Sequence, residues 1–166
     1  MSRLLIESLL PEHCPGLARL LEDNDREEIT GHFHPFPMTR ETAERLCLGH
    51  FKDRYYIAFL DGVTVGLVML RGWDEGYEVP SFGVFIDYRY HGRGLGRLLT
   101  EYAIVEAKQM GCAKVRLTLY ESNVRGWRLY TSLGFQEQSR DLVDRHGHPD
   151  KRIVMIKALP VEKVAA

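Results

Sequence analysis

The chain has 166 residues, 45% of them hydrophobic and 27% charged, the size and make-up of one soluble globular domain. A formal net charge of −1 gives no long-range pull toward nucleic acid or an anionic membrane, and no apolar run approaches membrane-spanning length. Its three cysteines, Cys14, Cys47 and Cys112, are odd in number and far apart, which argues against a disulfide framework and makes a reducing cytoplasm the expected compartment. Leu4 to Ser8 reads as a first strand, interrupted by charge at Glu7 too early for a secretory signal. Glu12 to Asp23 predicts a helix with Leu17, Leu20 and Leu21 on its buried side. Glu22 to Gly31 is acidic and irregular, and His32 to Pro37 is a rigid Pro-rich loop. Thr39 caps a second helix that runs to about Leu48, with Leu46 inward and Gly49 as the stop. Tyr55 to Leu60 and Val63 to Leu70 make a hairpin, because Asp61-Gly62 suits the mirror-image two-residue turn.

A loop from Arg71 to Gly76 leads to a strand over Val79 to Ile86, and a helix follows over Arg97 to Met110. Lys114 to Tyr120 alternates apolar Val115, Leu117 and Leu119 against Lys114, Arg116 and Thr118, the pattern of a strand. Ser122 or Asn123 can cap a short helix that Gly134 ends. A strand from Phe135 to about Val143 then turns through Arg145 to His148 and pairs with Ile153 to Leu159. That last strand, if exposed, can pair across a homodimer, so monomer and homodimer both remain open. Residues 1–160 are expected to form one domain and 161–166 a C-terminal tail.

The chemistry concentrates between the fourth strand and its helix, in Arg89-Tyr90-His91-Gly92-Arg93-Gly94-Leu95-Gly96-Arg97. Glycines at 92, 94 and 96 let backbone N–H groups approach a ligand closely. The first N–H groups of a helix lack intrahelical partners and sit at the positive end of its dipole, so they favour phosphate. Arg93 and Arg97 add cationic donors. Neither named nucleotide pattern fits: no Lys-Ser or Lys-Thr follows the glycines, and Arg97 stands where the third glycine of G-x-G-x-x-G belongs.

A second motif lies downstream. Asn123, Gly126 and Tyr130, followed by Leu133-Gly134-Phe135, place Asn123 and Tyr130 two turns apart on one helix face. With these two motifs the chain resembles the GNAT acetyltransferase superfamily. The family's cofactor loop, Gln/Arg-x-x-Gly-x-Gly/Ala, maps onto His91 to Gly96, and its Asn-x-x-Ala-x-x-x-Tyr motif onto Asn123 to Tyr130. There are two departures. His91 replaces Gln or Arg and loses a side-chain donor that Arg89 or Arg93 is expected to supply. Gly126 replaces Ala and is expected to loosen the helix and make room for Trp127.

The resemblance implies an α/β GNAT fold: a mixed, mostly antiparallel sheet of about seven strands with a central parallel splayed pair, flanked by about four helices. It implies acetyl-CoA as acetyl donor and no metal. The cofactor's amide arm would pair with the backbone around Val84 and Ile86, with the N–H of Phe85 or a neighbour serving the oxyanion. Its diphosphate would lie on His91, Gly92, Arg93, Gly94, Leu95, Gly96 and Arg97. Asn123 would hydrogen-bond the arm, and Tyr130 would protonate the leaving thiolate.

The implied reaction is acetyl transfer to a primary amine, which must lose a proton before it attacks. Glu78, just before the cofactor strand, is the first candidate base. A small metabolite amine is the expected acceptor, with His34, Phe36, Tyr77 and Ser81 as candidate contacts and His32 as another histidine in reach. A protein N-terminus or lysine, and a non-catalytic CoA-binding sensor, are the alternatives. His32, His34 and His50 lack the spacing and carboxylate partner of a metal site. Neither nucleic acid nor a membrane is an expected partner.

Overall fold

The structure is a computed structural model that describes residues 1–160. The proposed tail, 161–166, lies outside the described residues. The strands are β1 (Leu4–Ser8), β2 (Arg54–Leu60), β3 (Val63–Arg71), β4 (Ser81–Ile86), β5 (Lys114–Tyr120), β6 (Gln136–Arg145) and β7 (His148–Ala158). The α-helices are α1 (Cys14–Asp23), α2 (Glu27–Thr30), α3 (Arg40–Leu48), α4 (Leu95–Gln109) and α5 (Val124–Ser132).

The seven strands form one sheet in the order β1-β2-β3-β4-β5-β7-β6. Every neighbouring pair is antiparallel except β4 and β5, which are parallel and share one register pair, Ser81 with Arg116. Two cores cover the two faces. Val68, Leu70, Phe82, Val115 and Leu117 pack with Leu95, Leu99 and Ala103 of α4. Leu67, Met69 and Phe85 pack with Leu17, Leu20 and Leu21 of α1 and Leu46 of α3. Alternation along β3, β4 and β5 separates these two sets.

Several boundaries differ from the sequence reading, each for a local reason. α4 begins at Leu95, because Gly94 takes the left-handed conformation at φ 79° and serves as the N-cap. β4 begins at Ser81, after Pro80, which lacks an N–H for the ladder. The acidic segment read as irregular contains the one-turn helix α2, so five α-helices rather than four occur among the described residues. The β6–β7 turn is the two residues His146-Gly147, at φ 54° and 84°, like Asp61-Gly62 at 49° and 81°. Finally, β7 is not an exposed edge. It lies between β5 and β6, so the sheet's free edges belong to β1 and β6, and pairing across a dimer through the last strand is ruled out.

Candidate active site

The site begins where β4 and β5 stop touching. Arg116 N–H donates to the Pro80 carbonyl at 3.0 Å, and beyond the Ser81–Arg116 pair the two strands part. The β3 register decides which β4 groups face the gap. Asp87 N–H donates to the Val65 carbonyl at 2.9 Å, in line with the register that pairs Phe85 with Leu67 and Gly83 with Met69. Hydrogen-bonded pairs recur at every second residue of an antiparallel ladder, so Phe85 spends its N–H on β3. Val84 and Ile86 turn theirs toward β5. Of the expected candidates, Phe85 or a neighbour, it is the neighbours whose N–H groups face the gap. The Ile86 carbonyl accepts from His91 Nε2 at 2.9 Å, leaving Val84 N–H and C=O and Ile86 N–H toward the gap.

The gap opens into a cavity of about 580 Å³. Its wall includes Val84, Phe85, Ile86, His91, Gly92, Gly94, Leu95, Gly96, Asn123 and Tyr130, so most of the residues predicted for the cofactor and the acid come together. The glycines have different reasons for being there. Gly92 and Gly94 have φ of 75° and 79°, and a Cβ on either would meet nothing within 4 Å, so conformation rather than crowding demands glycine. Gly96 lies in the first turn of α4, where a Cβ would touch Leu129 and Ile86 at 3.5 and 3.7 Å. The open N–H groups of α4 face a space that can take an anion.

The basic side chains of the loop are employed elsewhere. Arg89 pairs with Asp87 at 2.7 Å and with Asp23 at 2.8 Å, and Tyr88 N–H donates to Asn24 Oδ1 at 2.9 Å. Burial works to raise the Asp87 carboxyl, but the Arg89 hydrogen bonds and charge outweigh it and hold the group below its usual range. These contacts tie the loop to the end of α1. Arg89 is therefore not the free donor that the loss of a Gln or Arg at 91 seemed to require. Arg93 stacks over the Tyr90 ring at 4.9 Å, and Arg97 donates to Ser132 Oγ at 2.6 Å while lying 3.7 Å from Glu101. Neither lines the cavity.

On the opposite wall, Asn123 caps α5: its Oδ1 accepts from Gly126 N–H at 3.0 Å. A Cβ on residue 126 would come within 2.7 Å of Asn123 Nδ2, so Gly126 gives room to the cap rather than to Trp127. The Tyr130 ring packs edge-on against Phe82 and Phe135 at 6.0 and 5.8 Å. Burial pushes its phenol up to about 12, so the group stays protonated through the physiological range.

A second cavity of about 370 Å³ adjoins the first; His32, Phe33, Phe82, Gly83 and Thr118 line both. His34, Tyr77 and Ser81, the candidate acceptor contacts, line it. Phe36 does not: it is buried under the loop, 5.9 Å from Phe33, and Phe33 takes the place at the wall, 5.1 Å from Phe85. Glu78 is exposed in the loop before β4 and lines neither cavity. His34 Nε2 lies 3.1 Å from the Tyr120 hydroxyl. His32 sits where the cavities meet, and partial burial followed by the Arg145 charge holds its imidazole below 6.5. Arg71, Glu75, Arg116, Thr118 and Tyr120 complete the wall and were not singled out from the sequence. The alternation of β5 had already placed Arg116 and Thr118 together, away from the apolar face. Among the described residues no group of three or more His, Cys, Asp or Glu could hold a metal, and no helix is long and apolar enough to cross a membrane.

The cleft thus lies between parted parallel strands, with a helix N-terminus at one end and a phenol at the other. The sequence pattern of the Acetyltransferase (GNAT) family matches residues 17–135, and the chain belongs to that family. It is similar to a spermine/spermidine N(1)-acetyltransferase of Bacillus subtilis, 27% identical over 132 residues, covering 73% of this chain and 87% of that protein. It is also similar to the ribosomal protein bS18-alanine N-acetyltransferase of Escherichia coli, 34% identical over 87 residues, 51% of this chain and 57% of the other. Among solved structures, a GNAT acetyltransferase from Streptococcus pneumoniae superposes with a TM-score of 0.77 at 22% identity, covering 95% of this chain and all of that one. A Salmonella typhimurium protein solved with acetyl-CoA superposes at 0.73 with 20% identity, covering 98% and 96%. These likenesses share the fold.

Proposed function

We propose that the protein transfers an acetyl group from acetyl-CoA to a small primary amine by direct attack in a ternary complex. One observation carries the reading: the parted β4–β5 strands, the open α4 N-terminus and the Tyr130 phenol line a single cleft. When bound, acetyl-CoA supplies an activated thioester. The backbone N–H groups of Gly92 to Gly96 hold its diphosphate. Val84 and Ile86 offer the edge of a strand to its amide arm, and Asn123 keeps its Nδ2 for the same arm because the cap uses only Oδ1.

His32 takes the proton from the acceptor ammonium, directly or through water, being neutral at neutral pH and placed between the cavities. Val84 or Ile86 N–H donates to the oxyanion. Tyr130 then gives its proton to the leaving sulfur. No enzyme nucleophile is needed, and burial raises the Cys47 and Cys112 thiols away from the reactive thiolate. The likeness to a spermine/spermidine and to a ribosomal-protein alanine acetyltransferase makes polyamines and protein amines candidate acceptors. The 370 Å³ cavity favours a small molecule.

Isothermal titration with coenzyme A, alongside thiol release over a panel of amines, tests the reading. Coenzyme A should bind while ATP fails to compete at similar affinity, and at least one amine should release thiol. Coenzyme A binding with no transfer to any amine would instead favour a sensor.

A further inference from the structure

The 370 Å³ cavity contains two arginines whose Nε atoms have no hydrogen-bond partner. Ser81 of β4 pairs in register with Arg71 of β3 on one side and with Arg116 of β5 on the other. Residues in register share a face of the sheet, so Arg71, Ser81 and Arg116 form one row across three strands, and all three line the 370 Å³ cavity. The Nε atoms of Arg71 and Arg116 are both buried, and neither has a hydrogen-bond partner. Among the described residues neither guanidinium belongs to an ion pair.

The carboxylates nearby do not fill this role. Asp53 is buried, but its Oδ1 accepts from the N–H groups of Gly72 and Trp73 at 2.8 Å each and of Asp74 at 3.3 Å. Glu75 lines the cavity but is exposed, and among the described residues it forms no ion pair with either arginine. A buried cationic N–H without an acceptor is costly, and a planar guanidinium matches a carboxylate through two parallel hydrogen bonds.

Resting on the acetyltransferase reading, we propose that the acceptor is a small amine that also carries a carboxylate, which Arg71 and Arg116 bind together while its amino group points to His32. Phe33, Met69 and Val79 in the same wall would take an apolar side chain. A polyamine, with positive charge along its length, would bring like charge to this row.

The test pairs each amino acid, together with β-alanine and 4-aminobutyrate, with its amide and its decarboxylated amine, with spermidine as a further acceptor. Thiol release is measured for the native protein and for Arg71→Gln, Arg116→Gln and Arg116→Lys. At least one amino carboxylate should exceed both its congeners about tenfold or more in kcat/KM. That ratio should collapse in the Gln variants, mainly through KM, and be partly restored by Lys. Coenzyme A titration verifies that each variant is folded. Thermal shift gives a readout free of turnover: the preferred amino carboxylate should raise Tm of the native protein and not of Arg116→Gln. A preference for spermidine or decarboxylated amines, or an equal loss on every acceptor, overturns the inference and leaves acetyl transfer standing. Failure of coenzyme A to bind sinks the underlying reading instead.

Discussion

The two cavities meet at His32, Phe33, Phe82, Gly83 and Thr118, yet they are built from different parts of the chain. The larger one is a backbone construction. Its polar groups include the N–H and C=O of Val84, the N–H of Ile86 and the amides that open α4, with Asn123, Arg125 and Tyr130 among the side chains beside them. Of the basic side chains close by, Arg89, Arg93 and Arg97 are tied up in Asp87, Asp23, Ser132, Glu101 and the Tyr90 ring, and Arg125 stands in the wall. The smaller one is a side-chain construction, with His32, His34, Arg71, Arg116 and Tyr120 in its wall. A site built from backbone depends little on side-chain identity, while a side-chain site can change without disturbing the first. The contrast makes opposite demands: the first should suffer from changes at glycine and ignore most truncated side chains, the second the reverse.

The harshest challenge falls on the junction. His32→Gln removes the proposed base, and the rate at neutral pH should fall about 1,000-fold, within the range for a positioned proton acceptor. The pH profile carries the sign. The imidazole is held below 6.5, so it is neutral and active at pH 7 and is switched off by protonation as pH falls. The native kcat/KM should therefore show an acid limb below 6.5 that His32→Gln lacks. If Glu78→Gln abolishes the limb and His32→Gln does not, the carboxylate before β4 is the base after all.

Tyr130→Phe comes next, at about 100-fold in kcat, because a thiolate leaves more easily unaided than an ammonium attacks. It is the one side chain on which the backbone-built half depends for chemistry. Coenzyme A affinity should barely move, since the ring and its packing on Phe82 and Phe135 remain. A phenol held at about 12 places the matching alkaline loss far above the acid limb. Unchanged turnover in the Phe variant would reduce Tyr130 to a core residue.

Much of this contrast explains what could be read from the sequence. Asp61-Gly62, the apolar side of α1, the Thr39 cap of α3 and the Asn123 cap of α5 are local, and local rules found them. The phosphate loop was legible for the same reason, since glycine at a helix start states its own backbone geometry. α2 was missed because it buries no residue and so shows no apolar period. Most of β6 and the first residues of β7 are exposed, so no alternation marked where β6 ends and β7 begins. The choice between Phe85 and its neighbours needs one hydrogen bond, Asp87 to Val65, to set the parity of β4. The row from Arg71 to Arg116 joins three strands far apart in sequence, and no spacing rule connects them. Phe33 and Phe36 exchanged roles because a Pro-rich loop has no period to say which ring faces in.

Gly94→Val tests the backbone half without touching any side chain. The residue at φ 79° would need a conformation that a β-branched side chain resists, costing about 1–2 kcal/mol or refolding the loop. Coenzyme A affinity should drop about tenfold. Space is not the cause, since a Cβ there meets nothing within 4 Å. Gly94→Asn, which tolerates the left-handed region better, should recover part of the loss, a result that a simple steric clash would not give.

The smallest effect is the most telling about the design. Arg93 lies inside the glycine motif, and charge alone would make it a phosphate ligand. In the structure its guanidinium stacks on Tyr90 and stays out of the cavity wall. An exposed cation near an anion contributes little once water and salt screen it, so Arg93→Ala should change coenzyme A affinity by about twofold or less at physiological ionic strength. The same titration at low salt should open a wider gap, because a remote charge acts through the screened field while a bonded one does not. A loss of tenfold or more that persists at high salt would mean that Arg93 leaves Tyr90 to grip the diphosphate directly. The first cavity would then owe its hold to a side chain, and the division between the two halves would fail where it is now drawn most sharply.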